Sequence, residues 1–167
     1  LSTGERLAYD RLLAATGSRP FVPPIPGLET VERTFCFQTL SDASALAEAL
    51  RPESRVLILG AGLTGVKCAE GIRGLCAQIA IADLAPRVLP AVLDDTAAAM
   101  VQARMEEKGV RFYLNDSAAA FRGNTARLQS GTELEFDVLV TAVGVRPNTQ
   151  LVADAGGAVD REIGRAS

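Results

Sequence analysis

In RVLILGAGLTG, Arg55 to Gly65, a run of branched apolar residues ends at a glycine and gives way to a glycine-spaced turn. A continuous run such as Arg55–Leu59 predicts a strand buried on both faces of a parallel sheet, since a strand with one wet face would alternate. Gly60 lets the chain turn sharply off that strand. Gly62 removes a side chain so that a diphosphate can approach the backbone, and Gly65 permits close packing of helix on strand. The N–H groups at the start of the following helix then point toward an anion, helped by the positive end of the helix dipole. Gly60, Ala61, Gly62, Leu63, Thr64 and Gly65 are therefore the first candidate ligand contacts. A Gly-x-Gly-x-x-Gly string by itself is weak; between a predicted strand and a predicted helix it reads as a dinucleotide fingerprint, and outside that setting as a tight turn.

Outward from this stretch, Leu63–Arg73 predicts a helix, Gln78–Ala82 a second buried strand, and Asp94–Lys108 a long helix closed by Gly109. Val110–Leu114 supplies a third strand. Beyond Asn115, short strand-like pieces separated by RGN and SGT predict an antiparallel meander, and Asp137–Gly144 restores a buried strand. The expected fold class is thus α/β: a Rossmann-like three-layer domain with a parallel sheet, in which a β-meander replaces one crossover helix. On the N-terminal side, the prolines of SRPFVPPIPGLE (Ser18 to Glu29) dictate an extended connector, and Ser41–Leu50 predicts a short helix with Ser41 or Asp42 as N-cap, stopped by Pro52. Met100 and Met105 are expected as gap fillers between the long helix and the sheet.

Asp83, at the end of the second strand and about 20 residues beyond the glycines, is where an acid accepts hydrogen bonds from an adenosine ribose. An acid here favours NAD(H) over NADP(H), whose 2′-phosphate would meet like charge. Arg87 lies near enough to be a candidate contact for such a phosphate.

Composition removes other classes. With 48% hydrophobic and 22% charged residues the chain can bury a core, so disorder is excluded. The net charge of −3 and scattered Lys and Arg argue against nucleic acid and against an anionic membrane surface. No apolar run approaches the roughly 20 residues of a membrane span, and the first residues lack a signal-like pattern, so the expectation is a cytoplasmic protein. Cys36, Cys68 and Cys76 form no Cys-x-x-Cys pair and there is no histidine, which points away from a disulfide framework, a zinc site and histidine-based catalysis.

LLAATGSRP (Leu12 to Pro20) returns, loosened, as LVTAVGVRP (Leu139 to Pro147). A strand ending in glycine brings bare backbone to a ligand outside the carboxyl ends of a sheet. The second copy closes the domain containing Gly60. The first is expected to close a different nucleotide domain, which would make the chain a segment of a longer protein.

YDRLLAATGSRPFVPPIPGLE, RVLILGAGLTGVKCAEGI and DVLVTAVGVRPNTQL, in that order and spacing, resemble the central part of the FAD-dependent pyridine nucleotide-disulfide oxidoreductase family, which includes NADH oxidases, ferredoxin and rubredoxin reductases and nitrite reductase flavoproteins. The resemblance implies an FAD domain interrupted by an NAD(H) domain, followed by a C-terminal domain that dimerises. Residues 1–22 would be an edge of the FAD domain, 23–52 a connector and short helix, 53–150 the NAD(H)-binding Rossmann domain, and 151–167 the return toward the FAD domain. It implies hydride transfer from NADH to FAD and on to an acceptor by a homodimeric parent, with Val143 and Gly144 near the nicotinamide. No catalytic side chain lies in the segment, which alone would not turn over. Two positions depart from the family pattern: Lys67 stands where glutamate is usual, and Thr64 where an apolar residue is commoner. Lys67 is a candidate contact to a phosphate or carboxamide, or a solvated helix residue. The alternative reading is a stand-alone NAD-binding regulatory module without turnover.

Overall fold

The computed structural model describes residues 3–159. In chain order the elements are β1 (Ser18–Pro20), β2 (Thr34–Cys36), α1 (Leu40–Ala49), β3 (Arg55–Leu59), α2 (Leu63–Ile72), β4 (Gln78–Asp83), α3 (Asp95–Glu106), β5 (Val110–Leu114), β6 (Ala118–Arg122), β7 (Thr125–Leu128), β8 (Glu133–Glu135), β9 (Val138–Thr141), β10 (Val145–Pro147) and α4 (Gln150–Asp154). They fall into two compact units, one formed by the described parts of Leu1–Arg19 and Val145–Ser167, the other by Pro20–Gly144.

The larger unit is built on a five-stranded sheet in the order β2-β9-β3-β4-β5, every neighbouring pair parallel. The period of two along each strand splits its side chains between two cores. Val56, Ile58, Ile79, Ile81, Val138 and Val140 join Leu46 and Leu50 near α1, Cys68, Ala69 and Ile72 of α2, and Ala98 of α3 in one cluster. Leu57, Leu59, Ala82 and Leu139 join Phe121, Leu128 and Phe136 in the other, where the Phe121 and Phe136 rings meet edge to face at 5.9 Å. That second cluster belongs to the antiparallel meander β6-β7-β8. Helices on one face and a meander on the other make the three-layer α/β architecture expected from the sequence.

β6 and β7 are joined by Gly123 and Asn124, with Gly123 at φ +54°, the left-handed backbone that a two-residue hairpin demands. Gly109, at φ +88°, ends the α3 region as expected.

Several local expectations are corrected. The N-cap of α1 is Thr39, not Ser41 or Asp42: the Asp42 backbone N–H donates to Thr39 Oγ1 at 3.1 Å, while Asp42 Oδ2 accepts from the Thr39 N–H at 2.8 Å. This is a reciprocal capping box in which Asp42 fills the third helical position. The connector also holds a strand that its composition hid, since β2 pairs with β9 and forms the sheet edge. Met100 is 70% exposed and fills no gap, whereas Met105 packs against the helix-side core.

In the smaller unit, Leu12–Gly17 is not a strand; the extended pairing begins only at Ser18. The two Gly-x-Arg-Pro copies pair with each other, as β1 and β10. Asn148 ties the pair: its side-chain amide donates to the Thr16 carbonyl at 2.9 Å and its N–H to the Gly17 carbonyl at 2.9 Å. Residues 160–167, part of the expected return segment, lie outside the described residues.

Candidate functional site

β3, β4 and β9 end side by side, and the chain leaves each of them toward one cleft. Gly60 leaves β3 at φ +110°, with a Cβ position 2.5 Å from the Ala142 carbonyl oxygen, so any side chain there is both strained and blocked. Gly65, one turn into α2, faces back onto that bend: a Cβ would stand 1.9 Å from the Gly60 carbonyl oxygen. Both glycines are demanded by the fold itself. Gly62 differs. Its φ is −75°, and nothing lies within 4 Å of the Cβ it lacks.

Gly62 is the N-cap of α2 and offers no side-chain acceptor. The first intrahelical bond of that turn is Val66 N–H to the Gly62 carbonyl at 3.0 Å, which leaves the amides before Val66 without helical acceptors. Asp83, at the end of β4, braces the bend. Its Oδ2 accepts from the Ala61 N–H at 2.5 Å and its Oδ1 from the Ala85 N–H at 2.7 Å. An ionised carboxylate has about four acceptor positions, so two remain after these bonds.

These groups line an open cleft of about 440 Å³. Gly60, Gly62, Leu63, Thr64 and Asp83 form one part of it, and Val143 and Gly144 another. Ala61 and Gly65 are buried beneath the lining. Lys67 and Arg87 are not among the lining residues. The Lys67 ammonium pairs with Glu70 at 2.6 Å on the exposed face of α2. Arg87 bonds the carbonyls of Leu93 and Pro90 and pairs with Asp95 at 3.1 Å.

Sequence reasoning missed the wall formed by Leu84, Leu89, Pro90, Ala91 and Val92. Its signal, an apolar stretch directly after the acid, was present but had no periodicity. Ser117 also lines the cleft and had no signal at all: it arrives because the Asp116 N–H donates to the Asp83 carbonyl at 3.0 Å, carrying the β5–β6 junction to the site. Burial raises the Asp116 carboxyl, but bonds from Ser130, Ser117 and Gln129 outweigh it and hold the group below the usual carboxylate range. At the opposite end of β3, the Arg55 guanidinium bonds Asp137 at 3.0 Å and Glu135 at 2.7 Å, far from this chemistry. Burial pushes the Cys68 thiol up to about 12, so it is no nucleophile at neutral pH. Among the described residues no group of His, Cys, Asp and Glu is placed to hold a metal, and no helix is long and apolar enough to cross a membrane.

A family model described as pyridine nucleotide-disulphide oxidoreductase matches residues 1–165. The chain belongs to that family. Nitrite reductase (NAD(P)H) of Bacillus subtilis (strain 168) is 35% identical over 159 residues, covering 93% of this chain and 20% of the relative. The chain therefore spans about a fifth of the length of the curated relatives it matches first. Among solved structures, the water-forming NADH oxidase from Lactobacillus brevis bound to NADH superposes with a TM-score of 0.78 at 26% identity, covering 89% of this chain and 33% of that one. The reductase in a covalent putidaredoxin reductase–putidaredoxin complex gives 0.86 at 27% identity, covering 95% of this chain and 40% of the other. The Rossmann-like fold is common to these pyridine nucleotide-disulphide oxidoreductases.

Proposed function

We propose that this chain carries the NAD(H)-binding domain of a flavin-dependent oxidoreductase that passes hydride from NADH to FAD and on to a further acceptor. Gly62 carries the reading. Ordinary backbone and open space mean that the protein does not need glycine at this position, whereas a diphosphate brought against the amides does. In this reading the N–H groups of residues 62–65 hold the diphosphate. The free acceptor positions of Asp83 take the adenosine ribose hydroxyls, and the backbone at Val143 and Gly144 approaches the nicotinamide. The chain's contribution to the reaction is to bind and orient, because the redox chemistry is supplied by NADH and FAD when bound.

The lactobacillar NADH oxidase supports the cofactor assignment, being a structural relative bound to NADH. We assign FAD to the full-length parent, with residues 1–22 and 151–167 belonging to its flavin domain, 23–52 a connecting region and 53–150 the NAD(H) domain. The parent is proposed to be a cytoplasmic homodimer, and the chain alone to be without turnover.

Fluorescence titration with NADH and NADPH tests the reading. Saturable binding is expected, tighter for NADH; no saturable binding of either cofactor would overturn it.

A further inference from the structure

Arg87 stands four positions beyond Asp83, yet its guanidinium is turned along its own chain. Nε donates to the Leu93 carbonyl at 3.3 Å, Nη2 to the Pro90 carbonyl at 3.4 Å, and Nη1 pairs with Asp95 at 3.1 Å. These acceptors bracket the strap 89–93, from which Leu89, Pro90, Ala91 and Val92 line the cleft. The other end of the strap is tied to the glycine bend, since the Leu89 N–H donates to the Ala61 carbonyl at 2.8 Å. Leu89 itself sits at φ +50°, a left-handed conformation that a leucine keeps only when its surroundings hold it there.

We propose that Arg87 is a positioning residue that clamps the 89–93 strap as the wall of the adenosine end of the cleft, and that this engagement leaves no cation among the described residues lining the cleft to receive a 2′-phosphate. The inference rests on the dinucleotide reading above and deepens it. Each of the three contacts is long or exposed, and an ion pair to an Asp95 side chain that is 90% exposed is weak alone. One planar guanidinium making all three holds the strap with little additional loss of freedom. The wall it shapes is apolar, suited to a base and not to a phosphate, and Asp83 beside it repels the extra charge that distinguishes NADPH from NADH.

The experiment compares wild type, Arg87→Ala and Asp95→Asn in the purified protein, using NADH, NADPH, 5′-AMP and reduced nicotinamide mononucleotide as probes, with thermal unfolding alongside. In Arg87→Ala, NADH and 5′-AMP are expected to weaken about five- to tenfold, the size of one lost polar contact, and NADPH by the same factor. The mononucleotide, which lacks the adenosine, keeps its affinity, and Asp95→Asn changes every Kd by about twofold or less. Selective loss of NADPH binding in Arg87→Ala would overturn the clamp and make Arg87 a phosphate ligand. Unchanged NADH and 5′-AMP affinity, or equal weakening of the mononucleotide, would overturn it as well. Wild-type protein that binds none of the four probes would instead remove the dinucleotide reading itself.

Discussion

Helices α2 and α3 pack on the same face of the same sheet, yet the amides at their N-termini are satisfied by opposite means. At α3 the N-cap is Asp94, whose Oδ1 accepts from the Ala97 N–H at 2.8 Å. The helix brings its own anion, and Asp95 adds a second charge to the first turn. At α1 the Thr39 and Asp42 pair does the same. At α2 the N-cap is Gly62, there is no acid in the first turn, and no side chain accepts. A helix start carries about half a positive elementary charge and several donors. Closing that end internally stabilises the fold, whereas a glycine cap forgoes only about a few tenths of a kcal/mol and leaves the donors without a side-chain acceptor. The open end is also the one aimed into the cleft. Among the three helices packed on the sheet, α2 is the one without a side-chain cap, a local omission at the end that faces the cleft; α4, in the smaller unit, is uncapped as well.

The comparison can be broken by giving α2 the cap that α3 has. Gly62→Asp is expected to weaken NADH binding by about 100-fold or more, because the new carboxylate occupies the amides and repels the diphosphate, while the unfolding temperature stays level or rises slightly. Isothermal titration and thermal unfolding on the same sample check both halves; a fall in stability together with retained binding would break the contrast. Gly65→Ala separates the structural glycines from Gly62. Its methyl group would collide with the Gly60 backbone, so a loss of about 1–3 kcal/mol is expected in urea unfolding. Asp94→Ala is the mirror experiment at α3: about 1 kcal/mol of stability lost, with NADH affinity unchanged.

The smallest effect concerns pH. Bonds from the Thr39 and Gln38 backbone amides hold the Asp42 carboxyl below its ordinary value in the folded state. A depressed folded-state pKa contributes stability that is present above the unfolded value of about 3.9 and is lost as pH falls through the lower folded value. Acid unfolding of Asp42→Asn should therefore flatten in the window from about pH 4 downward relative to wild type, and an unchanged profile would separate α1 from α3 as an internally capped helix.

Much of the architecture was readable in advance, and the reason differs from element to element. β3 and β5 came out with their expected ends, because continuous branched runs bounded by glycine or loop residues have no competing local structure. α2 and α3 lost a residue or more at their ends, where fraying and capping decide the boundary. The N-cap of α1 was misread because Thr39, Ser41 and Asp42 all favour that role, and only the reciprocal bonds of Thr39 and Asp42 choose between them. β2 was missed altogether. Three residues, Thr34–Cys36, are too few for a period to appear, and their strand character comes from β9 alongside.

At the site, the glycine bend and Asp83 were legible because each answers a demand written into adjacent residues: a left-handed turn, a contact too close for a Cβ, an acid at a strand end. Lys67 and Arg87 were not. A long cation declares its charge in the sequence but not its partner, and here the partners are Glu70 for one and the Asp95 carboxylate with two backbone carbonyls for the other.

By itself, then, the sequence determined the layered α/β class and the glycine turn that leaves β3, since periodicity and backbone freedom are properties of near neighbours, while three motifs in order carried the resemblance to the family. The tertiary structure alone decided that the two Gly-x-Arg-Pro copies pair with each other, that β2 completes the sheet, and that Ser117 reaches the cleft while Arg87 turns away from it. Each of those depends on hydrogen bonds whose acceptors are chosen only when distant segments, or a folded loop, come together.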